Sequence, residues 1–235
     1  MQPPAPQKKD AEILKISTSK QYKTVEELFK KSNPDSVYYT LLFLSSIIVA
    51  TGLLLNNSIV IIGGMLVTPL LSPILIIALG IATGEIQAIQ TSTILVLKSL
   101  GIVIAVSFIL SFLLGDRAFD LSVFGYSQNL EILYFIVAFV SGIAATFAWA
   151  RKEVAEILPG VAVAVSLVPP LSAIGIGLRS FSGSVFQQAV VIFLFNLIGV
   201  VLGSLVVFSI LKFQKVSKVV RQEAEAVTET KSDKE

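Results

Sequence analysis

From Ser36 to Gly84 the chain carries no charged side chain, and that run limits the folds open to it more than any other feature. About 20 apolar residues cross the roughly 30 Å of hydrocarbon in a bilayer. The run is therefore long enough for two crossings. The remainder follows the same pattern, with 54% hydrophobic and only 14% charged residues, whereas a soluble domain is about a quarter charged. The chain reads as an integral membrane protein of the all-α class.

Cutting the apolar stretches at their polar connections gives six transmembrane helices, at about 37–55, 59–83, 94–114, 131–150, 157–178 and 186–211. The connections hold Asn56-Asn57-Ser58, Gly84-Glu85, Gly115-Asp116-Arg117, Arg151-Lys152-Glu153 and Arg179-Ser180. Asp35, after Pro34, is placed to cap the first span. Thr24 and Glu27 have the spacing of a capping box, which predicts a short amphipathic helix over 25–31 on the membrane surface. Residues 1–36 form a short cytosolic segment, 37–211 the membrane domain, and 212–235 a charged tail expected to be frayed helix or disorder. The lysine-rich start has no apolar run suited to a signal peptide, so it is expected to stay uncleaved.

Lysine and arginine set the orientation, because cytoplasmic segments retain them. With both termini inside, 16 of the 18 fall on the inner side and only Arg117 and Arg179 outside. This predicts a multi-pass protein of the cell membrane with both termini cytoplasmic. Tyr38, Tyr39 and Trp149 then lie at the inner interface, and Tyr126 and Tyr134 near the outer one.

The chain also resembles itself. At an offset of 97, Gly63 falls on Gly160, Pro73 on Pro170, Gly80 on Gly177 and Ser107 on Ser204, with 11 identities in 52 pairs. Chance matches of Leu, Ile and Val weaken the count, but glycine and proline are uncommon enough to carry weight. Three spans per half is an odd number, so the second copy enters the bilayer from the opposite side. The prediction is two three-helix inverted-topology repeats, about 37–114 and 131–211, supported over the later two-thirds of each.

Helix breakers sit inside the second and fifth spans. Proline removes a backbone donor and clashes with the carbonyl four residues back, so Pro69 and Pro73 break the second span and Pro169-Pro170 the fifth. Counting about 1.5 Å per residue puts Pro69 and Pro169 near the membrane midplane. Irregular backbone at that depth must be covered by protein or line a watery cavity. Thr68, Ser72, Ser166 and Ser172 flank the breaks as hydrogen-bonding groups, and Gly63, Gly64, Pro159 and Gly160 lie beside them. The plain alternative is proline kinks used for packing, with the glycines as close-contact points. Paired, repeat-related breaks favour a transporter site instead.

The segments Asn57–Leu66 running into Pro69-Leu70-Leu71-Ser72-Pro73-Ile74, and Leu158-Pro159-Gly160 through Val168-Pro169-Pro170-Leu171, resemble the prokaryotic membrane family filed as domain of unknown function 389. Gly64 and Thr68 stand where that resemblance leads one to expect Ala or Ser. It implies a multi-span membrane fold over roughly 37–211 and transfers no catalytic or binding residue.

The chain has no histidine and no cysteine. That removes the usual ligands for zinc, copper, haem and iron–sulfur centres and most nucleophilic chemistry, so no metal, no cofactor and no enzymatic activity are expected. Lys98 is the only ionisable residue well inside a span. It either snorkels to the inner headgroups or faces a cavity. Asn196, in the sixth span, is either an interhelical hydrogen-bonding residue or a ligand. With no acid at mid-depth, a cation site or carboxylate relay is disfavoured. Helix N-termini converging after the prolines favour an anionic or polar neutral solute. The sequence reads best as a transporter or channel for such a solute, the alternative being a non-transporting membrane scaffold or subunit of a complex. The expected partners are the lipid bilayer, the solute and further copies of the chain as a homo-oligomer, with no nucleic acid.

Overall fold

The computed structural model describes residues 16–114, 131–151, 167–179 and 183–232, and every regular element among them is helical. In order these are α1 (Thr18–Lys31), α2 (Ser36–Leu54), α3 (Ser58–Val67), α4 (Leu71–Thr83), α5 (Ile86–Leu114), α6 (Glu131–Ala150), α7 (Val168–Arg179), α8 (Gly183–Ile210), a 3₁₀ turn (Phe213–Val216) and α9 (Ser217–Ser232).

Short polar residues start the helices by supplying the acceptors that the first amides lack. Asp35 caps α2, its carboxylate accepting from the Tyr38 amide at 2.8 Å. Asn57 caps α3 by accepting from the amides of Ile59 and Val60 at 3.0 and 3.2 Å. Gly84 ends α4 at φ 75, the left-handed conformation that glycine adopts without steric cost. Helix α1 is longer than the capping-box pattern predicts, starting from Ser17. Thr24 lies inside it and donates back to the Lys20 carbonyl at 2.9 Å.

Four helices, α2, α5, α6 and α8, are long and apolar enough to cross a membrane, and the pair α3 and α4 makes a fifth if taken as one bent span. The protein is therefore a helical, apolar, membrane-spanning chain. The predicted second span, 59–83, is divided: α3 and α4 meet at 58° across Thr68-Pro69-Leu70. The predicted fifth span lies partly outside the described residues, with α7 forming its later part.

Close helix contacts rely on glycine, which lets backbones approach where water-driven burial is absent. A Cβ on Gly203 would meet the Phe139 carbonyl, and one on Gly142 would meet the Val200 carbonyl, so α6 and α8 touch through their backbones. Ser204 adds a hydrogen bond from its hydroxyl to the Gly142 carbonyl at 3.3 Å. Gly175 of α7 packs in the same manner against Ile104 and Ser107 of α5.

The segments flanking the spans form a cap at one end. Helix α1 buries Val25, Leu28 and Phe29, packing against α4, α6 and α9. The buried Gln21 side chain donates to the Leu211 carbonyl at 2.7 Å, tying α1 to the end of α8. The charged tail forms the 3₁₀ turn and α9, where Phe213, Val216, Val220 and Ala224 are buried; Phe213 meets Phe208 edge to face at 5.0 Å. The expectation of a frayed tail is thus corrected, while the expected amphipathic helix is present as α1. Their apolar stripes have α4 to pack against.

Candidate functional site

The break between α3 and α4 is the centre of the candidate site. Proline at 69 disfavours helical geometry for the residue before it, and Thr68 is extended at φ −70 and ψ 135. Helix α4 then starts with Leu70 as its cap, without a side-chain hydrogen bond. The amides of Leu70, Leu71 and Ser72 have no acceptor among the described residues. Pro73 is the third residue of α4, where its missing N–H leaves no intrahelical bond unmade, so Pro69 rather than Pro73 makes the break.

Helices α2 and α3 run antiparallel: Ile61 packs on Gly52, Val49 on Gly64, and the Ser45 hydroxyl donates to the Gly64 carbonyl at 3.0 Å. Continuing that register brings Thr68 and Pro69 level with residues 40–45 of α2, and they share a cavity with Tyr38 and Leu41.

That cavity encloses about 700 Å³. Its lining includes Thr68, Pro69 and the buried Ser72 and Trp149, together with the exposed Lys30 and Lys31. Ser72 is only 7% exposed and its hydroxyl makes no hydrogen bond among the described residues. The Thr68 hydroxyl is buried and also lacks a partner. Lys31 places its ammonium 4.8 Å from the centre of the Trp149 ring. Among the described residues Asp35 is the only acidic one on the wall, and one of its oxygens caps α2. The wall thus offers the lysines and the amides that start α4 as donors, beside Leu66 and Val67 at the carbonyl end of α3.

The other predicted residues are distributed as follows. Gly64 is packed against Val49, whereas Gly63 is exposed with open space where a Cβ would stand. Pro169, Pro170 and Ser172 are buried in the first two turns of α7, and the Ser172 hydroxyl has no hydrogen-bond partner. Pro159, Gly160 and Ser166 lie outside the described residues. Asn196 is buried in α8, at the repeat position of Ser99, whose hydroxyl meets that of Tyr38 at 2.9 Å. Lys98 is exposed and does not join the cavity. The sequence reading missed Lys30 and Lys31 as site residues. It took Tyr38 and Trp149 only as interfacial aromatics.

Residues 65–202, more than half of the chain, match the family described as Domain of unknown function (DUF389). The chain belongs to the DUF389 family. A relative is an uncharacterized protein of Methanocaldococcus jannaschii, 27% identical over 169 residues that cover 72% of this chain and 52% of that protein. The chain thus spans about half the length of the curated relative it matches. No solved structure matches it. The DUF389 match begins at Met65, just before the break, and takes in α4, α5, α6, α7 and most of α8. The unpaired amides and Ser72 therefore belong to the DUF389 region, and the cavity's lysines lie before it.

Proposed function

We propose that this DUF389 protein is a transporter or channel for a small anionic or polar neutral solute. In this reading it has two inverted three-helix repeats, both termini are cytoplasmic, and the route passes the broken helices. One observation carries the reading. Helix α4 starts at Leu71 and α7 at Val168, while α5 starts at Ile86 and α8 at Gly183, so both hairpins begin at the same offset of 97. Each short helix also packs against the long helix of the other half, α4 on α8 and α7 on α5. Gly175 beside Ile104, and Arg179 5.8 Å from the Phe112 ring, give α7 and α5 the same direction.

Such exchange of partners is what a two-fold axis in the membrane plane would produce, and broken helices at repeat-related positions accompany solute sites in transporters. Helices α1 and α9 lie at one end, which supports termini on a common side, and the lysine and arginine bias favours the cytoplasm. Assembly as a homo-oligomer belongs to the same reading. Reconstitution into liposomes, with uptake of a panel of labelled oxyanions and polar neutral solutes, tests it. Flux is expected for at least one class and a loss of about tenfold or more on Pro69→Ala, which lets α3 continue towards α4. A well-folded wild type that moves none of them favours the scaffold reading.

A further inference from the structure

We infer that the cavity at the start of α4 is a binding site for a phosphate-type oxyanion. The claim rests on the cavity of the transport reading but concerns binding alone, so it can fail or hold whether or not solute crosses the membrane. The amides of Leu70, Leu71 and Ser72 face no acceptor among the described residues, and they stand at the positive end of a 13-residue helix. The independent observation is Ser72 itself, more than nine-tenths buried, lining the cavity and without a hydrogen-bond partner among those residues. The Thr68 hydroxyl is also unpartnered among the described residues but is sealed from the cavity. A buried hydroxyl on a cavity wall is normally satisfied, so Ser72 marks where a ligand supplies the acceptor.

Charge selects the ligand. Lys30 and Lys31 are exposed and line the cavity, while Asp35, the only carboxylate on the wall among the described residues, accepts from the Tyr38 amide. Lys30 also borders a smaller cavity with Glu26 and Glu223, whereas Lys31 lines only the larger one. A ligand that only accepts hydrogen bonds and carries more than one negative charge satisfies the donors on this wall, whether as free phosphate or as the phosphomonoester headgroup of a lipid.

Trp149 is the only tryptophan in the chain and carries Lys31 over its ring, so its fluorescence reports on the site directly. The test titrates inorganic phosphate into the detergent-solubilised protein at constant ionic strength, against chloride. It repeats the titration in nanodiscs with and without phosphatidate. A saturable change in Trp149 emission is expected with phosphate, weakened by about tenfold or more in Lys30→Gln/Lys31→Gln and several-fold in Ser72→Ala. If the headgroup is the natural source, phosphatidate nanodiscs produce the change by themselves and block the phosphate response. If free phosphate is the source, the response survives in phosphatidate. No saturable change with either probe, or a response unaltered in the double lysine variant, overturns the proposal.

Discussion

Gly80 and Gly177 hold their two hairpins together in the same way. A Cβ on Gly80 would lie 3.2 Å from the Ile89 amide nitrogen, and one on Gly177 would lie 3.3 Å from that of Phe186. The partners are as far apart in sequence as the glycines. The α4–α5 and α7–α8 contacts are thus the same contact made twice. Valine at either position would force its hairpin open, and a cost of about 1–3 kcal/mol is expected from overpacking. Thermal unfolding in detergent checks this. Gly80→Ala should cost more than Gly177→Ala, because Gly80 also faces the Glu85 carbonyl at 3.2 Å.

The α6–α8 contact should be less forgiving. Gly203→Ala drives a methyl group into the Phe139 carbonyl, which cannot rotate away, so the helices must part, at a cost of about 1–3 kcal/mol or more. Gly101→Ala is the matched control. No atom lies within 4 Å of its Cβ position, so only the gain of up to about 1 kcal/mol in helix propensity is expected. Unfolding temperatures should move in opposite directions.

Glu223 makes docking of α9 sensitive to pH. Partial burial, and then repulsion from Glu26, raise its carboxyl above the ordinary value of 4.5. The folded protein therefore binds the proton more tightly than the unfolded chain. The contribution is complete below 4.5 and is lost as pH rises through the raised value. Glu223→Gln should flatten that slope and stabilise the protein at pH 7 by about 0.2–0.5 kcal/mol, the size of an exposed like-charge pair. Unfolding measured from acid to neutral pH gives the slope.

Pro69 and Pro73 should separate sharply. Pro73→Ala in the first turn of α4, and Pro170→Ala in the first turn of α7, leave the helix start in place but remove buried ring carbons, so each is expected to cost about 1–3 kcal/mol without closing the bend. Pro69→Ala frees Thr68 to turn helical and should remove the bend. Cross-linking of cysteine pairs placed across the cavity, one at Leu41 and one at Ser72, should report the closure only for position 69.

Much of the fold was legible where chemistry is local. Asp35, Asn57 and Gly84 mark helix ends because a short acceptor or a positive φ is needed there, and Pro69 marks the break because it restricts Thr68. A helix apolar all round gives no sign of which face meets lipid, so the sequence left Lys98 between snorkelling and facing a cavity; it is exposed and outside the cavity lining. Val216, Val220 and Ala224 had helical spacing in the tail, but the short stripe is stabilised only by docking. The cavity joins Lys31, Thr68, Ser72 and Trp149 from separate segments, which no local pattern records.

The inverted repeat is the central claim, and sided labelling of single cysteines tests it most directly, because the chain has no cysteine of its own. Ser72 and Pro169 occupy equivalent positions at the starts of α4 and α7. Ser72→Cys and Pro169→Cys, each probed with a membrane-impermeant maleimide in vesicles of both orientations, should react from opposite faces, Ser72→Cys from the face that carries the termini. Reaction of both from the same face would contradict the account.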